Sequence, residues 1–182
     1  MNAIIEPLGA WLPGLDGTGA QGALRLLACA GFIGVLAWLS LVDVRIRRLP
    51  DRIVLPTLWA GLTLNAAFSL TATPAEAVLG AGGGYAALGA LGAAWSLWRP
   101  DAAFGGGDLK MAAMIGAWTG ASALPVVFGV AFVAGSLAAM PMLLAGRCGM
   151  TDEVPFGPAL ALGGLAALFA GPEISALLFG PS

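Results

Sequence analysis

The sequence predicts an all-α, polytopic membrane protein of about six transmembrane helices. Three observations carry this. The 182 residues are 59% hydrophobic and only 10% charged, against about 25% charged in a soluble domain. The mean hydropathy is +0.90, so too little polar side chain is present to cover a soluble core, and the bilayer is the natural solvent. The apolar residues fall into separate runs near spanning length, and the basic residues gather between alternate runs.

Taken in order, the first run covers about 24–42 (LRLLACAGFIGVLAWLSLV), the second about 53–70 (IVLPTLWAGLTLNAAFSL), and the third the glycine-rich 76–98. A short fourth run covers about 109–122, the fifth about 125–145 and the sixth about 157–179. Pro125 blurs the boundary between the fourth and the fifth, so a single helix in their place stays open. The 28 glycines and 12 prolines sit inside these runs, as they do in membrane helices. Gly80 with Gly84, and Gly116 with Gly120, repeat at a spacing that lets membrane helices approach closely, within one chain or between copies. Residues 1–22 hold Glu6, Asp16, Pro7 and Pro13 without a basic n-region, which reads as an irregular or interfacial lead-in and not a signal peptide. Residues 23–182 form one membrane domain on this reading.

Charge sets the topology. With six crossings, Arg45, Arg47, Arg48, Arg52, Arg99, Lys110 and Arg147 share one face, and of the 8 basic residues Arg25 alone falls on the other. The face rich in Arg and Lys is then cytoplasmic, and both termini face outward.

Composition also excludes chemistry. The chain has no histidine, so a His-based triad, a His general base and His-ligated metal are out. Cys29 and Cys148 lie far apart without CxxC spacing; Cys29 reads as a small apolar residue in a helix and Cys148 as a loop thiol, which predicts neither a zinc site nor a disulfide framework. A net charge of −2 without a basic tail predicts no nucleic-acid partner.

What remains is carboxylate chemistry. Asp43 directly follows the first apolar run, and Asp108 opens the fourth within "AFGGGDLK". Two crossings separate them, so both return to one face at similar depth. A carboxylate at the edge of hydrocarbon is costly unless hydrated, paired or protonated. Two held close share a proton, so that one accepts a proton from water while the other donates to a carbonyl oxygen. Gly105 and Gly107 offer positive φ and close backbone approach for aiming Asp108. The plainer alternative is a membrane-edge turn with Asp108 capping the fourth helix. A phosphate loop is not expected, because the GK[ST] spacing is missing. In 43–59 (DVRIRRLPDRIVLPTLW) the plainer reading is a basic juxtamembrane loop, ended by Pro50, with Asp51 capping the second helix and the arginines setting topology or meeting anionic headgroups.

Together these stretches resemble the type IV prepilin peptidases, membrane aspartic proteases with a GxGD motif. Three segments in order carry the likeness: Asp43 with its "DVRIRRLPDRIVLPTLWAGLTLN" context; "FGGGDLKMAAMIGAWTG", in which Gly105, Gly107, Asp108 and Lys110 match GxGDxK; and "VPFGPALALGG" at 154–164. They cover roughly 43–170. The resemblance implies that Asp43 and Asp108 are the catalytic pair, that prepilins or pseudopilins are the substrates, and that their short basic leader is cut at the cytoplasmic side of the bacterial inner membrane. It implies no metal and no cofactor for the cleavage. Asp51, Asp101, Asp152 and Glu153 are candidates to attract the basic leader, and Lys110 or an arginine of 45–52 to meet an acidic group on the substrate. Larger members of the family carry an N-terminal cytoplasmic region, often with paired CxxC motifs, linked to N-methylation. Residues 1–42 do not match it, so the peptidase core alone is expected, and S-adenosylmethionine enters only on the bifunctional alternative. A different class stays open, a non-catalytic membrane subunit or small transporter whose aspartates bind a cation or relay protons.

Overall fold

The computed structural model describes residues 19–98, 105–144 and 156–179. Among these the chain is six α-helices with no strand: α1 (Ala20–Ile46), α2 (Asp51–Phe68), α3 (Pro74–Trp98), α4 (Gly106–Thr119), α5 (Leu124–Leu144) and α6 (Gly157–Phe179). Each matches one of the six apolar runs. α1 and α3 are long and apolar enough to cross a membrane, and α5 and α6 contain shorter apolar stretches, Leu124–Met140 and Gly157–Phe169. The first helix begins at Ala20, so the last residues of the 1–22 lead-in are helical; the residues before Gly19, and Cys148, Asp101, Asp152 and Glu153, lie outside the described set.

The termini follow from local chemistry. Gly19 (φ 152°) precedes α1. α3 starts on a one-sided cap at Thr73-Pro74-Ala75-Glu76: Pro74 opens the helix, where its missing N–H costs nothing, and the Thr73 hydroxyl accepts the Glu76 N–H at 3.3 Å. α4 stops at Gly120 (φ 86°), whose N–H bonds back to the Gly116 carbonyl at 2.9 Å. That left-handed glycine and the turn before Leu124 make α4 and α5 two helices, which closes the single-helix alternative that Pro125 left open.

α4 is the centre of the bundle. Its eight residues Met111 to Trp118 are all buried, as expected of a helix enclosed on every side. At 14 residues it is about 21 Å long, shorter than the roughly 30 Å of hydrocarbon. α3 lies against it backbone to backbone: a Cβ on Gly80 would overlap the Gly116 carbonyl oxygen, and one on Gly84 would come within 2.6 Å of the Ala112 oxygen. The glycine repeats therefore serve packing within the chain. α2 covers a second side, where the Trp118 indole N–H donates to the Thr57 carbonyl at 2.8 Å and occupies the space a side chain at Gly61 would need. α6 closes the third, with Gly164 against Ile115. Phe32 of α1 stacks on Trp118 with centroids 4.6 Å apart, and α5 lies along α6, with Gly163 against the Val127 backbone.

The outer surface is apolar: Leu27, Trp38, Trp59, Trp95, Leu97 and Leu137 are all more than half exposed. This is the reverse of a soluble surface and fits side chains that face lipid. The helices alternate in direction, so two sets of ends result. One gathers the C-terminus of α1 with the N-termini of α2, α4 and α6. The opposite end is tied by Asn65, which is 1% exposed. Its amide N–H donates to the Ala117 carbonyl at 3.0 Å, and its carbonyl oxygen accepts from the Thr71 N–H, the Thr71 hydroxyl and the Ala72 N–H. Glu76 completes that end by accepting the Ser122 N–H at 2.9 Å.

Candidate active site

Asp43, Pro50, Asp51, Gly105, Gly107, Asp108 and Lys110, the candidate site residues read from the sequence, lie at the end opposite Asn65. Asp43 occupies the last turn of α1 and is 5% exposed. Its Oδ2 accepts the backbone N–H of Gly157, the first residue of α6, at 2.9 Å. Directly after Gly105, Gly106 and Gly107, Asp108 stands in the first turn of α4, partly buried. Both acids thus sit at the N-terminus of a helix, Asp108 on its own and Asp43 on α6, where the unpaired N–H groups and the helix dipole favour negative charge.

The link between α1 and α2 binds these ends together. Arg47 caps α1 in the left-handed conformation (φ 51°), its N–H on the Asp43 carbonyl at 2.8 Å. Leu49 then lies on α4, close enough that a Cβ at Gly107 would be 3.0 Å from the Leu49 Cβ. Asp51 opens α2, and its Oδ2 accepts from the Lys110 ammonium at 2.6 Å, with the two side chains 52% and 36% exposed. Two contacts therefore hold the start of α2 against the first turn of α4, while Asp43 reaches across to α6. Arg45, Arg47, Arg48 and Arg52 are exposed around this end, as topogenic or headgroup-facing arginines would be.

Several expectations need correction. Pro50, not Asp51, is the N-cap of α2 (φ −73°), and Asp51 is spent on the ion pair with Lys110. Those two charges partner each other here, where the sequence had offered each to a substrate. Gly105 is the N-cap of α4 at φ −61°, and the positive-φ glycines among the described residues are Gly19 and Gly120. Neither Gly105 nor Gly107 is needed for φ: Gly107 is needed for closeness, because it makes room for Leu49, whereas a Cβ on Gly105 would meet the Asp108 Oδ2 at 3.4 Å, an ordinary contact. Asp108 is the third helical residue and not the cap. Gly157 escaped the sequence reading of the site, although the "PFGP" start of the last helix was visible.

Chemically, the arrangement offers two carboxylates on different helices at one end of an apolar bundle. Asp43 is fixed by a backbone donor, the Gly157 N–H. Among the described residues no group of three His, Cys, Asp or Glu side chains is arranged to hold a metal ion.

Comparison with known proteins identifies the family. The model of the type IV leader peptidase family matches residues 30–140, a span that contains Asp43, Asp51, Asp108 and Lys110. A protein of Burkholderia pseudomallei strain 1026b named prepilin leader peptidase/N-methyltransferase is 39% identical over 184 residues, covering 96% of this chain and 59% of that protein. Proteins of the same name are 38% identical in Stutzerimonas stutzeri (81% of this chain, 52% of the relative) and 36% identical in Pseudomonas aeruginosa PAO1 (96% and 57%). The chain thus spans little more than half the length of these relatives. No solved structure matches it significantly. With a family match over more than half of its residues, and with both motif aspartates inside that match, this chain belongs to the type IV leader peptidase family.

Proposed function

We propose that this chain is a membrane aspartic endopeptidase that removes the short basic leader from type IV prepilins or pseudopilins, with Asp43 and Asp108 as its catalytic pair. The observation that carries the reading is the placement of both motif aspartates, which lie within the span of the family match, at helix ends on one end of the bundle. Proton-relay acids of a transporter would more often stand in mid-helix. Arg45, Arg47, Arg48, Arg52 and Lys110 share that end with the two acids (Arg99 and Arg147 lie outside the described residues), which supports an active site at the cytoplasmic edge of the inner membrane. A prepilin's hydrophobic helix would lie in the bilayer against the apolar outer faces, leaving its leader among Asp43, Asp108 and the loops.

In the mechanism, one aspartate is ionised and takes a proton from water while the other, protonated, polarises the scissile carbonyl. Attack forms the C–O bond of a tetrahedral diol. Collapse then breaks the C–N bond as the amine leaving group receives a proton. The net change is addition of one water across the peptide bond, with the pair ready for another cycle. Neither a nucleophilic side chain nor a cofactor is required.

The relatives' shared name also includes N-methyltransferase, which favours a second reading in which the new N-terminus is methylated with S-adenosylmethionine. Incubating the purified protein with cleaved pilin and labelled S-adenosylmethionine decides it by label transfer.

The test of the main reading is co-expression with a tagged prepilin in a host that lacks its own leader peptidase. The chain, Asp43→Asn and Asp108→Asn are compared at equal membrane levels by the gel shift on leader removal. Cleavage by the unaltered chain and by neither variant is expected. Full-rate cleavage by either variant removes that residue from the pair. Failure of the unaltered chain to cut any candidate prepilin turns the reading towards a subunit or transporter.

A further inference from the structure

Asp43 and Gly157 are 114 residues apart in sequence, yet the carboxylate and the amide meet at 2.9 Å in a buried setting. Among the described residues Gly157 is the hydrogen-bond donor to that carboxylate, and the bond uses Oδ2. The contact is closer still than the bond length conveys. A Cβ built on Gly157 would stand 2.6 Å from Oδ2, 2.9 Å from Cγ and 3.0 Å from the Cβ of Asp43. All three distances lie at or below the limit of real carbon contacts, so no side chain fits at 157 while Asp43 keeps this rotamer. Gly105 beside Asp108 differs, because a Cβ there meets Oδ2 at 3.4 Å, an ordinary contact. Glycine is therefore demanded at 157 by Asp43 itself.

We infer that Gly157 is the positioning residue for Asp43: its N–H pins Oδ2, and its missing side chain lets the carboxylate lie flat on the first turn of α6, so that Oδ1 is the oxygen left to exchange a proton. The inference rests on the proposed role of Asp43 and adds the element that aims it. The donor is a backbone group at the start of a helix, anchored by the Leu160 N–H on the Phe156 carbonyl at 3.0 Å. It cannot rotate away as a side-chain donor could. A group held this way stays oriented without reorganising during reaction.

The test compares Gly157→Ala with Gly164→Ala in the full-length protein, on a purified prepilin. Gly164 lies on the same helix, and its Cβ would meet movable side-chain atoms of Ile115 at 3.1 Å, far from the acids. Expected for Gly157→Ala is a fall in kcat of about 10- to 100-fold with KM unchanged, the signature of a lost transition-state arrangement. Gly164→Ala retains the unaltered rate. A fall of the same size in both variants, or a KM effect alone, overturns the inference in favour of general helix packing.

A second measurement holds even where Gly157→Ala folds poorly. Its loss of thermal stability, or of membrane level, is compared with that of the same change in an Asp43→Ala background. Since the Cγ and Oδ2 atoms struck by the new methyl are then gone, most of the loss disappears. An equal loss in both backgrounds overturns the inference. Normal kcat for Gly157→Ala beside an inactive Asp43→Asn sinks the positioning role and leaves the proposed function standing. Full activity of Asp43→Asn removes both.

Discussion

Leu49 rests on the bare backbone of Gly107, and this contact sets how close the end of α1 comes to the start of α4. A Cβ at 107 would be 3.0 Å from the Leu49 Cβ, and 3.5 and 3.6 Å from its Cδ1 and Cγ. Gly107→Ala therefore pushes the 47–50 link off α4, and with it the Asp43 and Asp51 ends of two helices. Overpacking of this kind costs about 1–3 kcal/mol. A fall in leader cleavage of about tenfold or more is expected from the displaced acid. Leu49→Gly removes the struck Cβ and the two atoms beside it. In that background Gly107→Ala has little further effect, which a cleavage and thermal-melt comparison of the four proteins checks.

The Lys110–Asp51 pair is short but half in solvent, with side chains 36% and 52% exposed. Exposed pairs contribute at most about 1 kcal/mol and weaken with salt. Lys110→Met and Asp51→Asn each lower the melting temperature slightly at low salt, by similar amounts, and the double variant loses no more than either. The charge swap Asp51→Lys with Lys110→Asp recovers part of the loss. Melting curves at low and high salt check this; a large loss that ignores salt contradicts it.

Much of the helix layout was legible in the sequence because a membrane helix is its own signal. Six apolar runs became six helices, and the glycine repeats at 80/84 and 116/120 marked the α3–α4 contact. The positions of Asp43 and Asp108 on one end followed from counting crossings. What stayed hidden depends on which distant groups meet. The pairing of Lys110 with Asp51, and of Gly157 with Asp43, spans 59 and 114 residues, and no local pattern encodes it. The role of Gly107 was half legible for a related reason: glycine signals positive φ or a close neighbour, the sequence offered both, and the structure uses the closeness, to Leu49. Asn65 was passed over in the sequence, although an amide inside an apolar run must find partners.

That amide gives the third prediction. Asn65→Leu strips the acceptor from the Thr71 and Ala72 N–H groups and the donor from the Ala117 carbonyl. Each buried group left without a partner costs about 1–3 kcal/mol, so the variant is strongly destabilised. The loss lies at the end away from Asp43 and Asp108. Cleavage per folded molecule therefore stays near normal below the melting transition. A variant that melts normally, or one that is stable and inactive, contradicts this division between the two ends.

The fourth prediction separates two glycines of one helix. Gly80 and Gly82 are two residues apart in α3, and both sit where alanine has the better helix propensity. A methyl on Gly80 overlaps the Gly116 carbonyl oxygen, with the backbone of Gly120 and Ala121 within 3 Å, whereas a methyl on Gly82 meets nothing within 4 Å. Backbone atoms of a buried helix cannot move aside as a flexible side chain does. Gly80→Ala must therefore separate α3 from α4, at a cost of about 3 kcal/mol or more. The separation opens the centre of the bundle, so activity falls together with stability. Gly82→Ala makes no new contact and removes only the flexibility of glycine, so it is neutral or stabilising by up to about 1 kcal/mol. Thermal melts of the two purified variants check the contrast. Equal effects would mean that α3 does not lie on Gly116 of α4 by the face that carries Gly80 and Gly84.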